Sequence, residues 1–199
     1  MSKLLERHRE EVSISHEKYT DETVENIQFV FDTIEDVTFL NCQFKNVVFR
    51  DVYLKNITFQ NCQLQNCYFL NDNISFMSFT SSKLTDVLFE GEKVSSLNIV
   101  DSLIQYTTFS KIKIIKGNFD SRFIECLFES TNLDDCHFKK SFFENTKLDN
   151  ITCHDAFFQD CIFENIHTDI TFFKGAVLSM EQVFCLVSDM GIRIKELDE

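Results

Sequence analysis

The sequence of 199 residues contains no proline, no tryptophan and only four glycines. With so few glycines, neither of the common phosphate-binding loops can form. The N-terminus lacks the apolar core of a signal peptide and no apolar run could span a bilayer, so we expect a cytoplasmic protein with reduced thiols and no membrane contact. Nineteen Lys and Arg stand against thirty-two Asp and Glu. This net charge of −13 argues against a nucleic-acid ligand and favours either solubility or a basic partner.

Phenylalanine, in contrast, is abundant, with twenty-three residues, and much of it recurs at every fifth position. The segment NCQFKNVVFRDVYLKNITFQNCQLQNCYFLN, residues 41–71, has a bulky apolar residue at each fifth position, called position i below. One register covers residues 29–119, and a second covers residues 123–178 after one step of four residues. A period of five suits neither an α-helix, with about 3.6 residues per turn, nor a flat strand, with a period of about two.

Positions between the bulky residues are also restricted. Position i−2 is usually small or β-branched, and position i+2 is usually Asn or Asp, which tolerate unusual backbone angles at turns. Each unit therefore has one large and one small inward side chain and one corner. A chain that turns a corner every five residues winds into a solenoid of stacked coils.

The number of sides follows from an alternation in the first register. Positions ten residues apart from Phe29 onwards are Phe, with Ile99 as the exception, and the interleaved positions are aliphatic apart from Phe44. Alternation requires an even number of sides, and four sides give coils of about 20 residues. One face should then stack the rings of Phe29, Phe49, Phe69, Phe89 and Phe109. The alternation fades after residue 123, and the sequence offers no physical reason for this.

The predicted fold is an all-β, right-handed, four-sided parallel β-helix solenoid of about eight coils with a short C-terminal helical cap. The right hand is expected because parallel crossovers nearly always have it. We divide the chain into an N-terminal cap, the repeats, and a C-terminal helix and strand that form a dimerisation module. The predicted bounds are residues 1–23, 24–178 and 179–199.

The pattern resembles the pentapeptide-repeat family over about residues 24–178. The family consensus has a small residue at i−2, Asp or Asn at i−1, Leu or Phe at i and often a turn residue at i+2. This chain departs from it at i−1, where several other residues replace Asp or Asn. The departures are Thr38, Gln43, Thr58, Gln63 and Tyr68.

Eight cysteines raise the hypothesis of a zinc site. Six of them, however, occupy i−2, where a small, soft side chain fits a core. Residues five apart lie on adjacent faces, so four thiols do not converge, and we expect no metal and no cofactor. Cys42 and Cys62 should be stacked neighbours, but reduced thiols argue against a disulfide between them. The six are Cys42, Cys62, Cys67, Cys126, Cys136 and Cys161.

Cys153, His154 and Asp155 resemble a nucleophilic trio only in their order. Cys153 should point inward while its two neighbours point to solvent, so the three cannot form a hydrogen-bonded relay. A solenoid filled with Phe also leaves no interior pocket for a substrate. We therefore predict that the protein is not an enzyme.

The C-terminal segment LSMEQVFCLVSDMGIRIKE predicts a helix. Ser179 and Gln182 have capping-box spacing, Gly191 supplies a stop, and a short strand can follow. This end resembles the C-terminal module of Qnr-type quinolone-resistance pentapeptide proteins, where a helix, a Gly and an apolar pair mediate head-to-head dimerisation. The alternative is a monomeric cap that buries the same residues on the last coil. The residues concerned are Val183, Phe184, Leu186, Val187, Met190, Ile192 and Ile194.

The Qnr-type resemblance implies a mimic of duplex DNA that binds a type II topoisomerase, DNA gyrase or topoisomerase IV, and protects it from quinolones. Residues 24–119 carry eight Lys and Arg against ten Asp and Glu, whereas residues 120–178 carry five against eleven. Coils of about 20 residues would align Glu129, Asp149 and Asp169 on one face, and Glu144 with Glu164 on the face before it. We call these five residues the acidic ridge and predict that they bind the partner. Alternatively, the acids serve only solubility and the solenoid is a general interaction scaffold.

Overall fold

A computed structural model describes residues 3–9, 14–30 and 32–193. Helix α1 spans Lys3–Arg9, helix α2 spans Met180–Asp189, and a 3-10 helix spans Ile170–Phe173. Between the two α-helices the described chain is almost entirely short strands that form one parallel sheet. In chain order, β1 to β24 are Ile14–Ser15, Lys18–Thr20, Thr23–Val30, Thr33–Leu40, Gln43–Arg50, Tyr53–Gln60, Gln63–Gln65, Tyr68–Leu70, Asn73–Ile74, Met77–Thr80, Lys83–Thr85, Leu88–Glu90, Lys93–Val94, Leu97–Gln105, Thr108–Ser110, Lys113–Ile114, Gly117–Ile124, Leu127–Glu129, His137–Lys139, Phe142–Glu144, Lys147–Asp149, Phe157–Gln159, Ile162–Glu164 and His167–Thr168.

The strand register gives the coil length. Phe29 is the partner of Phe49, and the same offset of 20 residues recurs in the other pairs of the first coils. Position i+2 adopts a left-handed backbone with φ of 53° to 55° at Asn41, Asn46 and Asp51, so a corner falls every five residues. Four corners per coil make a four-sided solenoid of about eight turns, as predicted. The right-handed sense stays a prediction.

We number the four sides 1 to 4 in chain order and identify each side by its inward residues. Side 1 carries Phe39 and Phe59, and side 3 carries the five phenylalanines predicted to stack. All five are buried, and consecutive ring centroids on side 3 lie 4.8 to 5.1 Å apart with interplanar angles of 2° to 7°. Side 2 carries Phe44 and Leu64, and side 4 carries Leu54. The predicted aromatic stack is therefore present.

The predicted four-residue step lies inside β17, Gly117–Ile124. Before it, Val100 pairs with Asp120, and after it, Leu103 pairs with Arg122, so the offset falls from 20 to 19. Alternate residues of β17, from Gly117 to Phe123, are buried. This is the ordinary alternation of a strand, which needs no left-handed corner residue.

The step also marks a change in the aromatic core, which explains why the Phe alternation fades. The side-3 stack continues to Phe128, and Leu148 takes its place in the next coil. On side 2, a new stack begins at Phe123 and Phe143, whose centroids lie 5.0 Å apart. Aromatic stacks thus occupy opposite sides in the first coils and the adjacent sides 1 and 2 in the last ones.

The solenoid begins earlier than predicted. Ile14 pairs with Ile34, and Tyr19 pairs with Phe39, so the first coil lies within the segment 1–23 that was predicted as a cap. Both residues continue the five-residue period, but glutamates two positions before Tyr19 and Val24 obscure it. One of them, Glu17, turns towards α1.

The N-terminal cap is held by these glutamates. Lys3 Nζ lies 2.6 Å and Arg7 Nη2 lies 2.7 Å from the Glu17 carboxylate, and the Leu4 backbone N–H donates to Glu22 at 3.3 Å. The Leu4 side chain is buried on the core. Helix α1 therefore covers the first coil, as the sequence predicted.

The C-terminal cap has the predicted start and stop. The Gln182 N–H donates to Ser179 Oγ and the Ser179 N–H donates to Gln182 Oε1, which completes the capping box. Gly191 has φ of 76°, the left-handed conformation of a helix stop. The predicted strand after it was wrong for Ile192 and Arg193, which lie in no strand, and Ile194 lies outside the described residues.

Candidate partner-binding surface

Four residues of the acidic ridge form two in-register pairs. Glu129 pairs with Asp149 on side 3, and Glu144 pairs with Glu164 on side 2. Glu129 and Glu164 are exposed, while Glu144 and Asp149 are half-buried. Because each pair occupies neighbouring parallel strands, the two backbones lie about 4.8 Å apart along the solenoid axis.

Asp169, the fifth residue of the ridge, lies outside the strands and caps the 3-10 helix Ile170–Phe173. Its Oδ1 accepts hydrogen bonds from the Thr171 N–H at 2.9 Å and from Thr171 Oγ1 at 2.7 Å, and these bonds lower the pKa of Asp169. It is exposed and stays charged. The register with the previous coil ends at the Leu148–Thr168 pair, so the predicted stacking of Asp169 on Asp149 stays a prediction.

A lysine and a serine side chain contact two carboxylates of the ridge. Lys147 Nζ lies 2.7 Å from Asp149 Oδ2, and the hydrogen bond to Asp149 raises the pKa of Lys147. Ser110 Oγ donates to Glu129 Oε2 at 3.2 Å, which satisfies one oxygen without neutralising it. An exposed ion pair of this kind contributes little to stability. The strongest negative potential should therefore lie at Glu129, Glu144 and Glu164.

Helix α2 presents only part of the predicted dimer surface to solvent. Phe184, Met190 and Ile192 are 43%, 49% and 52% exposed, and Val183 and Val187 are half-buried. These are large apolar side chains at the end of the solenoid.

Two other side chains of α2 attach the helix to the last coil. Leu186 is only 2% exposed and packs into the core of its own chain. The Gln182 side-chain amide donates to the carbonyls of Phe158 and Cys161 at 2.6 and 2.9 Å. The helix therefore caps the last coil with one face and exposes apolar residues on another.

The cysteines have a role that sequence reasoning missed. All eight are free thiols, and every one except Cys185 is buried. Thiols at i−2 donate to backbone carbonyls of the previous coil, as Cys62 Sγ does to Phe39 at 3.4 Å. Ser and Thr at the same position do the same, as Thr131 Oγ1 does to Phe109 at 2.9 Å. Where position i−2 carries a thiol or a hydroxyl, that group therefore links two successive coils.

Catalytic and metal chemistry find little support in the geometry. Cys153 is buried, with its Sγ 3.1 Å from the Phe172 carbonyl, while His154 and Asp155 are exposed on the other side of the chain. Burial raises the pKa of the Cys153 thiol to about 12. Within residues 3–9, 14–30 and 32–193, no three His, Cys, Asp or Glu side chains are arranged to hold a metal ion. None of the described helices is long and apolar enough to cross a membrane.

Asp72 is a buried carboxyl that the sequence analysis did not single out. It occupies i−2 on side 4 and is 7% exposed. Its Oδ1 accepts a hydrogen bond from the Val52 N–H at 2.8 Å, but its Oδ2 has no partner. Burial raises the pKa of Asp72 to about 7, and the nearby Asp51 charge adds to the shift. An acid at a position usually given to small or β-branched residues was the available signal.

An outward apolar column on side 3 was also missed. It occupies position i−1 in five successive coils, and each member pairs in register with the next. All five side chains are half-buried although no described element covers them. We call them the side-3 column: Val48, Tyr68, Leu88, Thr108 and Leu127.

Comparison with known proteins supports the repeat assignment. The family model for a pentapeptide repeat region matches residues 42–119, and the model for eight copies of pentapeptide repeats matches residues 121–165. No curated protein sequence matches the chain.

One solved structure shares the fold of this chain, and a second is a more distant match. A trypsin-treated variant of QnrB1, a plasmid-mediated fluoroquinolone resistance protein, is 16% identical with a TM-score of 0.51, over 93% of this chain and 100% of that chain. HetL, a pentapeptide repeat protein involved in heterocyst differentiation regulation from the cyanobacterium Nostoc sp. strain PCC 7120, is 9% identical with a TM-score of 0.36, over 87% and 95%. The two family models together cover most of the solenoid, and the chain belongs to the pentapeptide-repeat family.

Proposed function

We propose that this chain is a non-enzymatic homodimer that acts in the cytoplasm as a mimic of duplex DNA. Its partner is a type II topoisomerase, DNA gyrase or topoisomerase IV, which it protects from quinolones. The observation that carries the proposal is the pair of in-register carboxylate columns on sides 2 and 3. Like charges on neighbouring strands destabilise a sheet, so their alignment has a cost that dispersed acids would avoid.

The charge density supports the same proposal. About eight coils at about 4.8 Å give a rod of about 37 Å, and a head-to-head dimer would be about 75 Å long. Two chains of −13 each then place roughly one net charge per 3 Å, compared with one per about 1.7 Å in duplex DNA. The ridge lies in the coils nearest α2, so dimerisation would bring two ridges together at the middle of the rod. This suits a basic groove that normally holds DNA.

Supercoiling by purified gyrase, with and without a quinolone, tests this function. The ridge variant replaces its five carboxylates by amides: Glu129→Gln, Glu144→Gln, Asp149→Asn, Glu164→Gln and Asp169→Asn. We expect the unmodified protein to inhibit supercoiling or to relieve quinolone poisoning. The ridge variant should fold normally and lose this effect, most clearly at low salt, because screening weakens exposed charges.

A control variant changes the same number of carboxylates away from the ridge. It carries Glu6→Gln, Glu25→Gln, Asp51→Asn, Glu92→Gln and Asp101→Asn. We expect it to retain the effect, because its charges do not lie in the proposed groove contact. An equal loss in both variants would mean that net charge alone acts. No effect of the unmodified protein on gyrase or topoisomerase IV would overturn the function.

The proposed dimer interface consists of Phe184, Met190 and Ile192, supported by the half-buried Val183 and Val187. Replacing Phe184 and Ile192 by Glu should convert a dimer to a monomer in native mass measurement, because it places charges in an apolar contact. Met180→Glu, on the same helix but outside the predicted interface, is the control. A monomeric unmodified chain would refute the interface.

The general scaffold is a second candidate because of the side-3 column. Duplex DNA mimicry requires charge and shape but no outward row of apolar side chains. Such a row instead favours contact with the surface of a protein.

A further inference from the structure

The side-3 column differs from the equivalent positions on the other sides. Position i−1 on side 1 is occupied by Thr58, Ser78 and Asn98 over the same coils, and position i−1 on side 4 includes Lys93 and Lys113. Only side 3 has a nearly unbroken apolar row at this position, in the described coils. The repeat consensus places Asp or Asn there, so the winding does not require apolar residues. The apolar row is therefore better explained by contact with a partner than by the requirements of the fold.

The column is continuous along the solenoid axis. Val48 pairs with Tyr68, Tyr68 with Leu88, and Leu88 with Thr108, which pairs with Leu127. Four steps at strand spacing make a row about 19 Å long. That length matches about six residues of an extended peptide or about three turns of a helix. The row is long enough to contact a single element of a partner.

Carboxylates border this row on both edges. In DVLFE, residues 86–90, and in ECLFE, residues 125–129, an outward Leu has an acid two positions before it and another two positions after it. Asp86, Glu125 and Glu129 are exposed. Lys111 lies 3.5 Å from Glu90 in an exposed ion pair, and the other three carboxylates have no cation within ion-pair distance among the described residues. Arg50 occupies one edge beside Val48, so the edges carry net negative charge chiefly beside Leu88 and Leu127, next to the apolar centre.

We propose that side 3 docks a protein segment whose apolar side chains form a row flanked by Lys or Arg. The apolar row contacts Val48, Tyr68, Leu88 and Leu127, and the basic residues contact the carboxylates of the two edges. Charge complementarity selects this occupant. A nucleic acid or an anionic lipid surface would be repelled by the acids, and a second copy of side 3 would place like charges opposite each other. This docking surface shares Glu129 with the acidic ridge, but it does not require the topoisomerase contact.

Synthetic eight-residue peptides test the proposal by fluorescence anisotropy against the full chain. One alternates Lys and Leu, a second alternates Lys and Ser with the same charge, and a third alternates Glu and Leu. We expect the Lys–Leu peptide to bind at least about tenfold more tightly than the Lys–Ser peptide, and the Glu–Leu peptide not to bind. Equal binding of the two Lys peptides would show a purely electrostatic contact and would overturn the proposal.

A variant pair locates the binding. The docking variant is Val48→Thr, Leu88→Thr and Leu127→Thr, because β-branched Thr is well tolerated in strands. Its control removes three half-buried outward apolar residues from sides 1 and 2 and consists of Leu40→Thr, Val100→Thr and Leu103→Thr. Both should retain the circular dichroism spectrum of the solenoid. The docking variant should lose the preference for Lys–Leu over Lys–Ser, and the control should keep it.

The outcome separates this surface from the proposed function. Retained peptide preference in the docking variant, or equal loss in the control, would overturn the docking surface whatever gyrase does. Peptide discrimination on side 3 without any effect on supercoiling would support the docking surface and refute the topoisomerase function. The two failures are therefore distinguishable.

Discussion

The coils before and after the four-residue step at residues 119–123 share one winding but differ inside and outside. Before the step, aromatic stacks lie on the opposite sides 1 and 3, and the outer surface carries almost balanced charge. After it, the stacks lie on the adjacent sides 1 and 2, and eleven acids face five basic residues over residues 120–178. The corner spacing therefore determines the path of the chain, while the inner and outer chemistry vary from side to side without changing it.

Phe rings on adjacent sides contact each other edge to face more often than Phe rings on opposite sides do. Phe119 and Phe123 meet edge to face at 6.0 Å, and Phe158 and Phe163 meet at 5.7 Å in the same arrangement. Edge-to-face pairs of this kind are favourable in addition to the area that they bury. In the first coils, the residues between the two stacks are aliphatic except Phe44, which meets Phe39 and Phe59 edge to face at 5.0 and 5.5 Å, and Phe79 reaches Phe89 at 6.1 Å. The last coils therefore gain aromatic contacts between neighbouring sides.

The largest expected effect lies in the side-3 core. Phe89→Ala should lower the free energy of unfolding by about 3–5 kcal/mol, because it removes a ring stacked between Phe69 and Phe109 and leaves a cavity. Thr168→Ala changes the inward position of side 3 in the last coil, and it should cost less than about 1 kcal/mol. Urea unfolding measures both. If the two substitutions lowered the free energy of unfolding by similar amounts, this would contradict the conclusion that the aromatic stack leaves side 3 after the step.

The free energy of unfolding should depend on pH because of Asp72, which lies in the coils before the four-residue step. Because its pKa is about 7 when folded and about 3.9 when unfolded, the folded chain binds the proton more tightly. The free energy of unfolding should therefore fall as pH rises from about 4 to about 7 and stay level above that. Asp72→Asn should remove this slope and stabilise the protein at pH 8 by about 2–4 kcal/mol. The equivalent position of the later coils, such as Thr131, carries no titratable group.

Denaturant titrations at several pH values measure this slope. Thr131→Val is the matched control, since it changes a donor at the same repeat position without altering any charge. Its stability should be lower at every pH by a constant amount. An unchanged slope in Asp72→Asn would show that the carboxyl does not carry the dependence.

The junction of the two regions should be sensitive to Ser121. Its Oγ accepts a hydrogen bond from the Ser102 N–H at 3.0 Å and donates to the Ile99 carbonyl at 3.0 Å, so it joins two coils at the step. Ser121→Ala should cost about 1–3 kcal/mol because two buried backbone groups lose their partner. Ser121→Cys should recover part of the loss, since Cys62 fills the same position in an earlier coil. Equal stability of all three proteins would contradict this role.

The smallest effect should distinguish cross-strand charge pairs in the two regions. In the first, Glu35 pairs in register with Lys55 and forms an ion pair with it, whereas in the second, Glu144 pairs with Glu164. Glu35→Gln should slightly lower the melting temperature, and Glu164→Gln should slightly raise it, because like charges on neighbouring strands repel. Calorimetry at low and high salt measures the shifts, and high salt should reduce both. Shifts of the same sign would contradict the comparison.

Much of the fold could be predicted because a five-residue period is a local property that repeats. The side-3 stack of Phe29 to Phe109, the step before Phe123 and the capping box at Ser179 all follow from spacing. The ridge pairs followed from counting 20 residues along the chain. The side-3 column could have been found by the same count at i−1. It was missed because sequence reasoning followed the inward positions.

By itself, the sequence determined the coil length, the sides and the identity of the inward residues, because each corner depends only on its own unit. Tertiary structure decided whether each acid at i−2 is ion-paired, exposed or buried. Glu17 turns to helix α1, Glu92 is exposed, and Asp72 is buried beneath a neighbouring coil, although all three occupy the same place in the repeat. A repeat position specifies a direction relative to the backbone, but the solvation of a carboxyl depends on what the adjacent coil or cap stacks upon it.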